Sequence, residues 1–400
     1  MLMNTSNYIK ISLICLFLST FTLCLGWLPI GAMIPQLVLF LATLVFCPKT
    51  IGVKPVLFYN LFFVYQTIAL TISGSPFAVV TLLARYFTIG LPLFVSIYLF
   101  SRDSKKDYTS VAKYSLIVTS ITILLTIRVL VNDGAALRMT SYANSLGDMA
   151  ELYGYWRQGV ADYGMAAMMM FMPVMLLEIH RTFKQNNIKY YCFAGIILIF
   201  AFLYLGQVTT QFLFAIPIFI LALNPQYQRL TYVIPIIIIF SLIFVFFQDL
   251  LSFAISNTAD SAMNEKFVAM SMMSKGESVD DASDAGIRLQ LLSGTINAIK
   301  QNPLFGNPLN EHGGHNYFLD IIAQYGFLGL TLFLTMIISQ VKLISKRLSD
   351  NSRKVYLLIV ISFFLYGLIK NMSGTEWWTY LFIYYPAILK WLDLKKQNII

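Results

Sequence analysis

Histidine, paired cysteine and acidic residues are all scarce in this chain. Among 400 residues there are three His, four Cys and 19 Asp plus Glu. Cys15, Cys24, Cys47 and Cys192 have no partner at metal-ligand spacing and fall in or at the ends of apolar runs. They read as small packing residues, not as a redox or metal centre. Asp280, Asp281 and Asp284 crowd together as a solvated, helix-capping run with no ligand spacing, so no metal and no cofactor is expected. No P-loop, HExxH, GxSxG or CxxC occurs, which sets aside the nucleotide-hydrolysing, zinc-peptidase, serine-hydrolase and dithiol chemistries those motifs carry. Charged residues are also few: 12% of the chain against 58% hydrophobic, a composition foreign to soluble globular domains.

Long apolar runs take the place of charge. Twelve are of a length to cross about 30 Å of hydrocarbon. They lie at about 9–27, 29–47, 55–73, 79–100, 114–132, 163–180, 190–206, 208–223, 230–247, 317–341, 355–370 and 379–392. The first lacks a small-residue cleavage site and leads straight into the second, so it is expected to remain as a span. The fold class expected is therefore an all-α integral membrane protein of about twelve transmembrane helices, forming one polytopic domain. With the N-terminus inside, 19 of the 28 Lys and Arg fall in inner loops and eight in outer ones, Arg85 lying within a span. That asymmetry predicts cytoplasmic termini. The net charge of +9 is a topology signal spread over many short loops, and a nucleic-acid partner is not expected.

Two outer segments interrupt the rhythm, at about 133–162 and 248–316, and structureless connections of the second one's length are uncommon unless they carry function. Within the second, Ile287, Leu291, Leu292, Ile296 and Ile299 recur at helical spacing, with Asp284 as a suitable N-cap and Pro303 ending the run. An amphipathic helix over this stretch would lie on the membrane or over the mouth of the bundle. Arg288 sits near its start, where backbone N–H groups and the helix dipole favour an anion. Arg138 and Arg157 lie in the first outer segment. Their guanidinium forks suit phosphate oxygens, or pair with nearby carboxylates such as Asp148 and Glu151. Arg85, inside TLLARYFTIGLPLF, either snorkels outward or meets a lipid-linked phosphate from below. Trp377 and Trp378, beside Glu376, read as an interfacial belt, with sugar stacking as the second reading.

His315 stands where the polar outer loop re-enters the membrane, after Gly313 and Gly314 and before Asn316. At a helix N-terminus the dipole disfavours imidazolium, leaving a neutral ring able to accept a proton. The plainer alternative is a helix-capping residue. Asn316 can hydrogen-bond a hydroxyl or cap the helix, and His312 reads as a loop residue.

From Arg288 to Gly329 the chain resembles the O-antigen polymerase and O-antigen ligase superfamily of bacterial envelope enzymes. The resemblance rests on Arg288 opening a loop helix, the turn Asn302-Pro303-Leu304-Phe305-Gly306, the pair His315-Asn316, and Gly326 after nine intervening residues. Arg138 falls where that family often has an Arg in its first large outer loop. One departure is GQVTTQFLFA, where Thr209, Thr210 and Gln211 stand in place of a Ser-Arg or Thr-Arg pair. Either Arg85 or Arg157 supplies the missing charge, or the diphosphate is held differently. The resemblance implies a GT-C-like membrane fold and a metal-independent glycosyl transfer at the outer leaflet. The donor would be an undecaprenyl-diphosphate-linked oligosaccharide held by Arg288 and Arg138, with His315 as general base. A chain-length regulator protein is an implied partner. A repeat-unit polymerase is the favoured expectation. A ligase acting on lipid A-core and a lipid-linked oligosaccharide flippase are the alternatives.

Overall fold

The computed structural model describes residues 6–20, 33–46, 50, 52–74, 78–134, 136–137, 139, 149–161, 163–183, 185–206, 208–223, 268, 271–272, 284–309, 316–368, 370–372 and 374–397. Among the described residues every regular element is helical. In chain order these are α1 (Ser6–Thr20), α2 (Met33–Phe46), α3 (Lys54–Ile72), α4 (Ala78–Arg102), α5 (Lys105–Leu130) and α6 (Met149–Arg157). There follow α7 (Tyr163–Thr182, with a 3-10 turn at Met169–Phe171), α8 (Asn186–Leu205), α9 (Thr209–Leu223) and α10 (Asp284–Gln301). The last are α11 (Tyr317–Ser345), α12 (Asp350–Gly367) and α13, which runs from Thr375–Thr379 through a π-turn at Tyr380–Tyr384 into Tyr385–Gln397.

Local chemistry explains where these helices start. Ser104 and Ser349 accept hydrogen bonds from the backbone N–H groups of Asp107 and Ser352, both at 3.4 Å, capping α5 and α12. Pro55 occupies the first turn of α3, where no N–H is needed. Asp284 is the first helical residue of α10 and not its cap, a shift of one position. The predicted apolar run at 230–247 lies outside the described residues, as do residues 21–27, 29–32 and 47 of the first two runs; each of the other eleven overlaps a helix where it is described. Among the described residues five helices are long and apolar enough to cross a membrane: α3, α5, α7, α8 and α11.

The bundle has two chemically different ends. At one end stand the start of α3 and the ends of α4, α7, α11 and α13, together with most of the described Lys and Arg. Asp103 there lies 3.5 Å from both Arg347 and Lys390, and Glu178 pairs with Arg181 at 2.6 Å. Arg181 also donates to the carbonyls of Ala222 and Leu223 at 2.7 and 2.8 Å, closing the C-terminus of α9. Asp393 accepts from Ser349 N, Ser349 Oγ and Ser352 Oγ at 2.8, 2.6 and 2.7 Å, fastening the start of α12 to α13. The opposite end gathers the starts of α2, α7, α9, α11 and α13.

Between the ends the core is aromatic and dry, with Phe333, Phe363, Tyr366 and Trp378 fully buried. The π-turn of α13 lies in this core and is bound from outside: Ser96 Oγ donates to Phe382 O at 2.7 Å. Gln340 Nε2 donates in turn to Ser96 Oγ at 2.6 Å, while Gln340 Oε1 is buried without a partner. A Ser96→Ala change strands the Gln340 amide and should cost about 1–3 kcal/mol. Adding Gln340→Leu should recover most of that loss. Thermal unfolding of the two single variants and the double variant measures the coupling, and simple additivity would disprove the link.

Candidate functional site

The residues Asn302–Gly306 leave α10 and fold back on themselves. Gly306 N donates to Asn302 O at 2.9 Å, and Asn302 Nδ2 donates to Gly306 O at 2.8 Å. The compact turn lies against α11, where that helix is broken at Gly326 (φ 65°, ψ −176°), a backbone region that only glycine occupies without strain.

A break in an apolar helix leaves N–H and C=O groups to be satisfied. Here the turn supplies the partners. Phe327 N, which an unbroken helix would bond to Ala323 O, donates instead to Pro303 O at 2.8 Å. Leu328 N donates to Leu304 O at 3.2 Å, and Ala323 O accepts from Asn307 N at 2.8 Å. Tyr65 of α3 shares its hydroxyl between Phe305 O at 3.0 Å and Tyr325 O at 3.1 Å. The approach is backbone on backbone. A Cβ on Gly306 would stand 2.5 Å from the main chain of Gln324, Tyr325 and Gly326, and one on Gly326 would fall on the carbonyl of Leu304. Leu304, Phe305, Phe327 and Leu328 meanwhile turn outward as an exposed apolar collar.

This contact joins the helix that carries Arg288 to the helix that follows His315. Arg288 stands one turn into α10, and Asn316 is the N-cap of α11. Asn316 caps through its backbone, its carbonyl accepting from Asp320 N at 2.8 Å, and its side chain makes no cap bond. His312, His315 and Arg138 lie outside the described residues, as do the side chains of Arg288 and Arg85. Arg85 is part of α4, which packs on α2, α3, α11 and α13. Arg157 is exposed at the C-terminal end of α6, where Tyr155 donates to Asp133 at 3.1 Å, on a separate element from the α10–α11 unit. Among the described residues no three His, Cys, Asp or Glu side chains gather where they could hold a metal.

The same end of the bundle holds a buried polar cluster that sequence reasoning missed. Trp377 and Trp378 form no interfacial belt: they are 2% and 0% exposed. The Trp378 ring lies 6.0 Å from that of Tyr317 at the start of α11, and its Nε1 is buried without a partner. Glu376 is buried beside them against Gly164, where an added Cβ would stand 2.5 Å from its carboxylate and 2.7 Å from Trp377 Nε1. Gln211 is fully buried, donates to Tyr366 Oη at 2.7 Å, and leaves Oε1 without a partner. Tyr366 packs on Trp377 with ring centroids 5.4 Å apart, so Gln211 belongs to the same cluster. Small neighbours are what admit these groups, and Gly164 in the sequence carries no sign of the carboxylate it faces.

What the fold defines is an all-helical protein with helices of membrane-crossing length and apolarity, built around a broken helix closed by a loop. Compared with known protein families, characterised proteins and solved structures, the chain matches none.

Alanine at Gly306 or Gly326 should cost about 2 kcal/mol or more, combining backbone strain with the main-chain clash. Gly154→Ala in α6, with open space around it, should shift stability by about 1 kcal/mol or less. Thermal unfolding of the detergent-solubilised chain distinguishes the three. Tyr65→Phe should cost about 1 kcal/mol and speed amide exchange at Phe327 and Leu328, and unchanged exchange there would disprove the tyrosine's bracing role.

Proposed function

We propose that this protein is a polysaccharide repeat-unit polymerase of the bacterial inner membrane, with about twelve spans, a GT-C-like fold and both termini in the cytoplasm. It transfers an undecaprenyl-diphosphate-linked glycan onto a hydroxyl of a lipid-linked acceptor repeat at the periplasmic face. The observation that carries this reading is the union of α10 and α11 through the Asn302–Gly306 turn at Gly326. The helix that carries Arg288, the turn, Asn316 and Gly326, related in the sequence only by spacing, thereby belong to one folded unit, and His315 directly precedes Asn316 in the chain.

The chemistry follows from the residue types. The acceptor hydroxyl attacks the anomeric carbon, and the bond from that carbon to the diphosphate oxygen breaks. The electron pair leaves with the diphosphate, and the hydroxyl proton passes to His315. Arg288 and Arg138, with Arg85 or Arg157 as further cations, offset the charge growing on the leaving group. Asn316 hydrogen-bonds the acceptor. The exposed collar of Leu304, Phe305, Phe327 and Leu328 suits the polyisoprenyl tail of the donor. A flippase would need ionisable groups deep in its spans. Among the described residues the buried acidic groups (Asp107, Glu178, Glu376 and Asp393) all stand near helix ends and none in the middle of a span, which counts against a flippase.

Complementation of a polymerase-deletion strain and of a ligase-deletion strain, each with its matching sugar cluster, tests the reading. A ladder of long surface chains should return only in the first strain. His315→Ala should slow chain growth by about a hundredfold or more. Rescue of the ligase strain alone would move the acceptor to lipid A-core. Rescue that survives His315→Ala would remove the general base from His315.

A further inference from the structure

At the basic end of the bundle, away from the Gly306–Gly326 contact, a cleft of about 640 Å³ opens between the start of α3 and the ends of α4 and α11. Its rim carries Lys54, Lys342, Lys346 and Arg347, and its walls include Pro55, Phe100 and Leu343. Arg347 has an acidic neighbour in Asp103 at 3.5 Å. Lys54, Lys342 and Lys346 are exposed and form no ion pair among the described residues. Val53, also in the lining, caps α3 without a side-chain acceptor, so the positive end of that helix opens on the same space. A cleft with four cations and a helix N-terminus favours an anion of more than one charge, or a phosphate set among several donors.

The surface leading away from the cleft decides between a free anion and a lipid. On α3, Leu57 and Leu61 follow Lys54 along one face and are 51% and 45% exposed. On α11, Ile338 precedes Lys342 by one turn and is 50% exposed. Charge at the mouth and open apolar strips directly below it match the two parts of a phospholipid, headgroup and acyl chain. By helical rise, Gly326 is about 24 Å along α11 from Lys342, so this site is separate from the broken-helix unit.

We propose that the cleft lined by Lys54, Lys342, Lys346 and Arg347 binds the phosphate headgroup of an anionic phospholipid, whose acyl chains lie along the exposed strips of α3 and α11. Native mass spectrometry of the purified full chain tests this, with phosphatidylglycerol, phosphatidylcholine and inorganic phosphate as separate probes. The native chain should retain phosphatidylglycerol in preference to phosphatidylcholine. The triple variant Lys54→Gln, Lys342→Gln, Lys346→Gln should bind it about tenfold more weakly or worse, each cation near a membrane surface being worth roughly a factor of five. Lysine-to-arginine changes at the same three positions should preserve retention. A control triple at the same end but outside the cleft (Lys106→Gln, Lys113→Gln, Lys189→Gln) should leave it unchanged. Equal losses in the cleft and control triples, or no loss in either, would overturn the proposal. Inorganic phosphate bound as tightly as the lipid would overturn the lipid assignment and make the site one for a free anion.

Discussion

An interrupted helix surrounded by apolar residues must have its loose backbone groups met by something, and in this protein the turn Asn302–Gly306 meets them. Pro303 and Leu304 accept from Phe327 and Leu328, Asn307 donates to Ala323, and Tyr65 covers Tyr325 and Phe305. Phe327 N, Leu328 N, Ala323 O and Tyr325 O are thus paired from outside the helix, which lets the break persist among apolar residues. Other features of this end depend on that contact. It ties α10 to α11, and through Tyr65 it ties both to α3, which among the described helices packs extensively on α11. Two glycines make it possible, because the main chains approach too closely for any side chain.

Polar contacts fasten the basic end of the bundle: carboxylates meet serines, arginines and lysines, and an arginine closes a helix. Some buried polar groups keep capacity left over at both ends: Tyr108 Oη and Trp391 Nε1 at the basic end, Gln211 Oε1 and Trp378 Nε1 at the opposite one. Unused hydrogen-bonding capacity in a dry interior is costly, and functional sites are where proteins tolerate it. Gln211 and Trp378 lie at the end of the bundle where α9, α11 and α13 begin.

Much of the architecture was legible in the sequence because apolar length and Lys/Arg placement report directly on helices and on the basic end. The stop of α10 at Gln301, before Pro303, and the start of α11 after Asn316 follow from ordinary helix punctuation. The partnership of Gly306 with Gly326 was visible only as spacing, since no residue between them reveals that their backbones touch. Tyr65 was invisible for the same reason: its role depends on a packing between α3 and α11 that no local pattern encodes. The burial of Trp377 and Trp378 ran against the usual interfacial preference of tryptophan, because space for them and for Glu376 is made on another helix, at Gly164. Gln211 likewise read as a mere departure from a family pattern, whereas its buried bond to Tyr366 makes it part of the inner lining.

Nine residues separate Asn316 from Gly326, and in a helix that number is also an angle. Each residue turns the helix by about 100° and advances it by about 1.5 Å. With Gly326 pinned by the turn, the count sets the compass bearing of Asn316 around the axis as well as its height. The segment thus works as a protractor, aiming whatever precedes the helix at one sector of the bundle. Adding or removing one residue between Tyr317 and Ile322 would leave the bonds to Ala323 and Tyr325 in place and still point that chain elsewhere.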